Sequence, residues 1–272
     1  MGFYPASQLV QDARRHGVEV LPPDVNASAW DSVLTPAGEV RLGLREISGF
    51  RQGAAEQIVA ARRDGAFRDV ADLAGRSRLP QRDLDLLAAA DALAGLAGHR
   101  RQAAWAASAT AVQGDLFDGV PTSAEIPAEL PAPGEGENLV ADYRSLGLTL
   151  RRHPLTLLRS HLAARRFVSA ADLKSAGDRA LIRAAGIVTC RQRPGTASGI
   201  MFVTLEDETG LINAVVHPHL AERQRREVLQ ARLLGIFGQL QREGDVVHLV
   251  AKRLVDLSHW LGRLAVASRD FH

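Results

Sequence analysis

The chain has 272 residues, 46% of them hydrophobic and 24% charged, with a formal net charge of +2. That length supports a sizeable core and leaves room for two modules. No apolar run approaches the roughly 20 residues of a membrane helix, and residues 1–7 lack the basic-then-apolar start of an export leader. The only cysteine, Cys190, can form no internal disulfide and, without nearby histidines, no structural zinc site. A cytoplasmic protein without membrane attachment is the expectation.

In chain order, residues 54–63 (AAEQIVAARR), 81–94 and 99–112 have helical spacing of alanine, leucine and arginine, punctuated before them by Gly43, Gly49 and Gly53. Within this mainly helical part, Ile47-Ser48-Gly49-Phe50-Arg51-Gln52-Gly53 leading into Ala54, Ala55 and Ile58 has the spacing of a helix-hairpin-helix. Such a turn aims unpaired backbone N–H groups at a phosphate and holds DNA without reading sequence. Gly49, Arg51 and Gly53 are the candidate DNA-binding residues; Arg51 stands where a second glycine is usual, and its guanidinium is expected to supply the phosphate contact. An ordinary αα-hairpin is the alternative. Leu79 to Leu84 followed by Leu86 to Leu93 suggests a second, degenerate hairpin.

Charge then shifts sharply. Residues 1–112 carry 13 basic against 13 acidic side chains, residues 113–142 carry none against 7, and residues 143–272 carry 20 against 11. Within the acidic stretch, Gln113 to Glu137, with Pro121, Pro127, Pro131 and Pro133 and little periodicity, is expected to be an extended linker. At its start, Gln113-Gly114-Asp115-Leu116-Phe117 offers an amide and two adjacent apolar anchors, the pattern of a short peptide docking in a preformed pocket. The alternative is an apolar pair that folds back on the preceding helix. The basic C-terminal half points to a polyanionic partner.

Beyond the linker, residues 139–162 and 170–176 are expected to form short helices. From residue 180 the period changes to strands at 180–191, 200–207, 211–217, 233–241 and 246–257, with a helix at 220–231 between the third and fourth. That order is the order of an OB-fold barrel. Alternation along Met201, Val203 and Leu205 turns Phe202 outward, where an aromatic side chain is a stacking platform for single-stranded bases; Arg191, Arg193 and Lys252 are the candidate phosphate partners. A register slip of one residue would instead bury Phe202. His217 and His219 lack a third ligand at metal spacing, the acids at 206–208 are taken as a strand end, and no phosphate-cradling loop or nucleophile elbow occurs. Neither a catalytic set nor a metal site is expected.

These segments in this order resemble the C-terminal third of the bacterial C-family replicative-type DNA polymerase α subunit. The resemblance is carried by residues 8–31, 41–63 (RLGLREISGFRQGAAEQIVAARR), 143–154 (YRSLGLTLRRHP) and 199–210 (GIMFVTLEDETG). Residues 191–196 and the tail 268–272 (SRDFH) are similar to the error-prone branch used in damage-induced mutagenic synthesis. The resemblance implies a multidomain α+β chain: the end of a fingers region (1–36), a helix-hairpin-helix DNA-binding module (37–112), an acidic linker with a sliding-clamp-binding peptide (113–138), a helical joint (139–178), a five-stranded OB-fold β-barrel (179–258) and a tail (259–272). It further implies double- and single-stranded DNA and the sliding clamp as partners, and a role in translesion synthesis, replication and repair of damaged DNA. Nucleotide addition in the family uses palm aspartates and Mg²⁺ that lie upstream, so this chain is expected to be a fragment that carries no cofactor and does not polymerise alone. An adaptor that recruits other mutagenesis proteins through the barrel and joint, and an anticodon-binding barrel of the aminoacyl-tRNA synthetase type, are the competing readings; steep salt dependence of binding favours DNA over the adaptor.

Overall fold

A computed structural model describes residues 6–110, 129–195, 198–244 and 246–263. The chain divides into two compact units, Met1–Arg151 and Arg152–His272.

The first unit opens with helix α1 (Ala6–Arg15), which buries Val10 in a small cluster with Val20, Leu42 and Leu148. A three-stranded sheet follows, in the order β1 (Val20–Leu21), β3 (Val40–Arg41), β2 (Val33–Leu34). Strands of two residues are too short to show alternation, so a segment expected to be mainly helical conceals a sheet. A 3₁₀ turn (Leu44–Glu46) leads to α2 (Gln52–Ala61), α3 (Val70–Ser77) and α4 (Gln81–Ala89). Helix α3 starts at Asp69, whose carboxylate accepts from the Asp72 N–H at 2.7 Å; such a cap contributes about 1 kcal/mol.

The helix expected over 81–94 ends at Ala89, because Asp91 adopts a left-handed conformation (φ 61°) and turns the chain. Short α5 (Ala94–Ala97) and α6 (Arg100–Thr110) follow, then α7 (Glu135–Ser145). Leu44, Ile47, Ile58, Leu73, Leu87 and Leu93 are among the fully buried side chains of this unit's core. The expected joint at 139–178 is split between the units, for a specific reason. Asp142 of α7 is buried against Arg100 of α6 at 2.5 Å and accepts from Thr149 Oγ1 at 2.7 Å, which binds α7 to the first unit.

In the second unit, α8 (Pro154–Ala164) has Pro at its first position and His153 as its cap, the imidazole Nδ1 accepting from the Leu155 N–H at 3.2 Å. Helix α9 (Ala170–Ser175) starts with a capping box of Ser169 and Asp172. The strands are β4 (Leu181–Gln192), β5 (Met201–Asp207), β6 (Gly210–Val216), β7 (Leu233–Glu243) and β8 (Val246–Asp256). They close a barrel in the order β4-β5-β6-β8-β7, with only β6–β8 parallel. The five strands and the OB-type order expected from the sequence are therefore present.

Gly238 permits the closure: a Cβ there would lie 2.5 Å from the Val250 carbonyl oxygen, next to the bulge where β8 carries one extra residue, Lys252, opposite β7. The helix expected at 220–231 is two pieces, α10 (Pro218–Arg223) and α11 (Arg225–Gln230). Gln224 breaks them because its side-chain amide pairs with the backbone of Leu254 through two 2.8 Å bonds, one donated and one accepted. Val203, Leu205, Ile212, Leu234, Ile236 and Leu249 fill the barrel, each contributing about 1.5–3 kcal/mol on burial. A final short helix, α12 (His259–Arg263), follows β8.

Candidate nucleic-acid interface

In the first unit the chain turns at Ser48-Gly49, where the Phe50 N–H donates to the Ile47 carbonyl at 3.1 Å and Gly49 takes φ 76°. That conformation favours glycine over any residue with a Cβ. The segment before the turn is the 3₁₀ turn rather than an α-helix, so the first hairpin is shorter than its sequence suggested. Arg51 is the extended cap of α2, and its carbonyl accepts from the Ala54 and Ala55 N–H groups at 3.1 and 3.2 Å. Among the described residues no hydrogen bond from the Gln52 or Gly53 N–H is seen; both residues are exposed, and nothing lies within 4 Å of where a Gly53 Cβ would be. Open donors on a helix end of positive dipole are the physical requirement for seating a phosphate.

The second hairpin is formed by α3, Arg78 in the left-handed conformation (φ 52°), and α4. It clasps the first: Arg82 donates to the Gly49 carbonyl at 3.3 Å, and Arg51 pairs with Asp83 at 2.7 Å. The Asp83 side chain is 0% exposed while that of Arg51 is 60% exposed. Arg51, expected to serve a phosphate, is thus already tied to a buried carboxylate, which offsets its charge. Arg82 and Asp83 were not singled out as site residues in the sequence; the signal available was a charged pair in the first turn after Pro80-Gln81.

On the barrel, the register places Gln192, Phe202, Val215 and Val250 in one row across β4, β5, β6 and β8, and Cys190, Thr204, Asn213 and His248 in the next. Met201, Val203 and Leu205 are buried and Phe202 is half-buried on the outer side, so the alternation was legible and the slipped register is excluded. Arg193 follows Gln192 at the β4 end of the row that holds Phe202, and Lys252 lies two residues beyond Val250 at its β8 end; both are exposed, one at each end of the row.

Arg191 does not join them. A bulge after Val188 changes the alternation of β4, and Arg191 pairs with the inward-facing Val203. Its guanidinium donates to the Val228 carbonyl at 2.7 Å and to that of Ala231, capping the end of α11, and burial lowers its pKa. That removes Arg191 from the phosphate-contacting set.

The acids at the end of β5 form a network that spacing did not suggest. Asp207, with a side chain 0% exposed, accepts from the Ala170 N–H at 2.7 Å, the Thr209 N–H at 2.7 Å and Arg159 at 3.2 Å. Arg159 also clasps Glu208 with both oxygens. His153 faces Glu206 at 3.8 Å, and burial holds its imidazole below the usual pKa. These contacts fasten α8 and α9 to the barrel, so the His153-Pro154 joint and the acidic run are two halves of one device. Among the described residues no three His, Cys, Asp or Glu side chains converge as metal ligands, and no helix is long and apolar enough to cross a membrane. The candidate clamp peptide at Gln113, Asp115, Leu116 and Phe117 and the tail at 268–272 lie outside the described residues.

Comparison with known proteins agrees with this division. Residues 17–103 match the helix-hairpin-helix motif and residues 182–257 the OB-fold nucleic acid binding domain. Among solved structures, asparaginyl-tRNA synthetase from Pyrococcus horikoshii aligns over 34% of this chain and 22% of its own, with 20% identity and a TM-score of 0.29. The whole chain aligns at 71% identity with an error-prone DNA polymerase of Dechloromonas aromatica (strain RCB) and at 62% with one of Azoarcus sp. (strain BH72), covering 26% of each. The chain spans about a quarter of the length of the curated relatives it matches, and over that span it is similar to error-prone DNA polymerases.

Proposed function

We propose that this chain is the segment of an error-prone DNA polymerase that holds primed DNA and tethers it to the sliding clamp during translesion synthesis and repair. The observation that carries the reading is the pair of clasped hairpins, which leaves the Gln52 and Gly53 N–H groups open at the start of α2. Neutral backbone donors at that place suit a duplex backbone, gripped without regard to sequence. The barrel row centred on Phe202, flanked by Arg193 and Lys252, suits the single-stranded template. Leu116 and Phe117, with the Gln113 amide and the neighbouring Asp115, are the anchors offered to the clamp, and tethering makes rebinding of DNA intramolecular. Phosphodiester formation with Mg²⁺ is assigned to parts of the parent enzyme outside this sequence.

The test is binding of fluorescent primed DNA to the intact chain with and without the parent organism's clamp. The proposal expects salt-sensitive DNA binding, a clamp-dependent gain in residence time, and loss of that gain in Leu116→Ala/Phe117→Ala with DNA affinity unchanged. A clamp effect that survives the double substitution removes the tethering role, and DNA binding insensitive to salt favours an adaptor instead.

A further inference from the structure

The barrel carries a second cationic surface on the side away from β5 and β6. Strand β7 lies between β4 and β8, and the register sets Arg183, Phe237 and Arg253 side by side on these three strands. The two guanidinium carbons stand 4.8 and 5.3 Å from the centroid of the Phe237 ring. Phe237 is half-buried and braced edge-on by the buried Phe167 at 5.6 Å, and Arg183 is held further by donating to the Arg165 carbonyl at 3.2 Å. Among the described residues neither guanidinium forms an ion pair with a carboxylate, whereas Arg159 and Arg191 of the same unit are consumed by internal partners.

We propose that this Arg183–Phe237–Arg253 stack is a second binding surface for single-stranded nucleic acid. Guanidinium planes receive unstacked bases as aromatic rings do, and their N–H forks reach phosphates. Two arginines already ordered on a braced ring lose little freedom when a strand arrives. The chemistry of the surroundings selects a strand over an acidic peptide. The closed barrel leaves no free edge for an extended peptide to pair with. Among the described residues of β4, β7 and β8, the exposed large apolar side chains are Leu181, at 75%, and Val246, at 48% at the far end of β8 from Arg253, so an amphipathic helix would find no continuous apolar stripe. A strand bound on both faces would wrap the barrel instead of crossing it once. The inference is independent of which face serves the template, but it rests on the reading of the unit as a single-strand binder.

The test uses the whole chain and an oligodeoxythymidylate of about 20 nucleotides, longer than one OB site, titrated across a salt series. In Arg183→Gln/Arg253→Gln, affinity is expected to fall about tenfold and the salt slope to shrink by about 1.4, at roughly 0.7 per phosphate contact on a single strand. Arg183→Lys/Arg253→Lys is expected to keep the slope but lose part of the affinity, because lysine keeps the charge and not the stack. Wild-type affinity and slope in the glutamine variant, with an unchanged melting temperature, overturn the proposal. So does poly-glutamate binding that the glutamine variant abolishes while oligonucleotide binding is untouched, which identifies an acidic protein partner. Phe202→Ala measured in parallel separates the two faces: loss in that variant alone sinks the second surface, and loss in the arginine variants alone sinks the role given to Phe202.

Discussion

The two units use their arginines differently. In the hairpin unit basic and acidic side chains balance at 13 each over residues 1–112, and the arginines at the hairpins and between helices are tied to internal partners. Arg51 holds Asp83, Arg62 donates to the Val25 and Ser28 carbonyls, and Arg100 holds Asp142. What this unit turns outward at the hairpin is backbone N–H. The barrel unit, in a stretch with 20 basic against 11 acidic residues, uses the half-buried Arg159 and Arg191 as fasteners but leaves Arg183, Arg193, Lys252 and Arg253 exposed. Position on the fold, not residue type, decides whether an arginine is tied to an internal partner or left facing solvent.

The contrast breaks first at the internal arginines. Arg159→Ala leaves Asp207 and Glu208 without their cation next to a carboxylate 0% exposed. Urea unfolding of the barrel is expected to show a loss of about 3 kcal/mol, near the lower end for a buried pair because Arg159 is partly exposed. A loss under ~1 kcal/mol would mean that backbone donors alone hold Asp207. Arg51→Ala is expected to cost less, about 1–2 kcal/mol, since Arg51 faces solvent and only Asp83 is stranded.

Outward groups should behave differently. Phe202→Ala is expected to weaken single-strand binding about tenfold, within the roughly 1–3 kcal/mol of one base stack, without changing the melting temperature. Arg191→Ala should do the reverse, lowering stability by about 1 kcal/mol through the lost α11 cap while leaving the salt slope alone. If Arg191→Ala flattens the slope instead, its guanidinium is available to DNA and the inward assignment is wrong.

The smallest effect is on pH. Burial depresses the pKa of His153, so the unfolded chain takes up its proton first. Stability from this group is full above the ordinary imidazole value near 6.5 and declines as pH falls toward the depressed folded value. Melting temperature should drop between about pH 7 and pH 5.5, and His153→Asn, which keeps a capping side chain, should flatten that drop.

Much of this was legible in the sequence because it rests on period and punctuation. Met201, Val203 and Leu205 alternate against Phe202, and the five strands fall where that alternation predicts. The hairpin turn is marked by Gly49. What escaped notice depends on contacts between distant residues. The bulge in β4 that turns Arg191 inward leaves no mark in composition, the pairing of Arg51 with Asp83 spans 32 positions, and the link of Arg159 to Asp207 spans 48. Strands of two residues, as in β1 to β3, lie below what any periodicity can reveal.

The central claim is that backbone N–H groups at the start of α2 hold duplex DNA, and Gln52→Pro tests it most directly. Position 52 is the first residue of α2, its N–H has no partner among the described residues, and Arg51 before it is extended at φ −107° and ψ 143°. Proline is tolerated there by both residues, so the substitution deletes one donor and leaves the helix intact. The account predicts an unchanged or slightly raised melting temperature, a fall of about tenfold in duplex affinity, as for one hydrogen bond to a charged group, and intact single-strand binding by the barrel. Undiminished duplex affinity in a folded Gln52→Pro chain would contradict it.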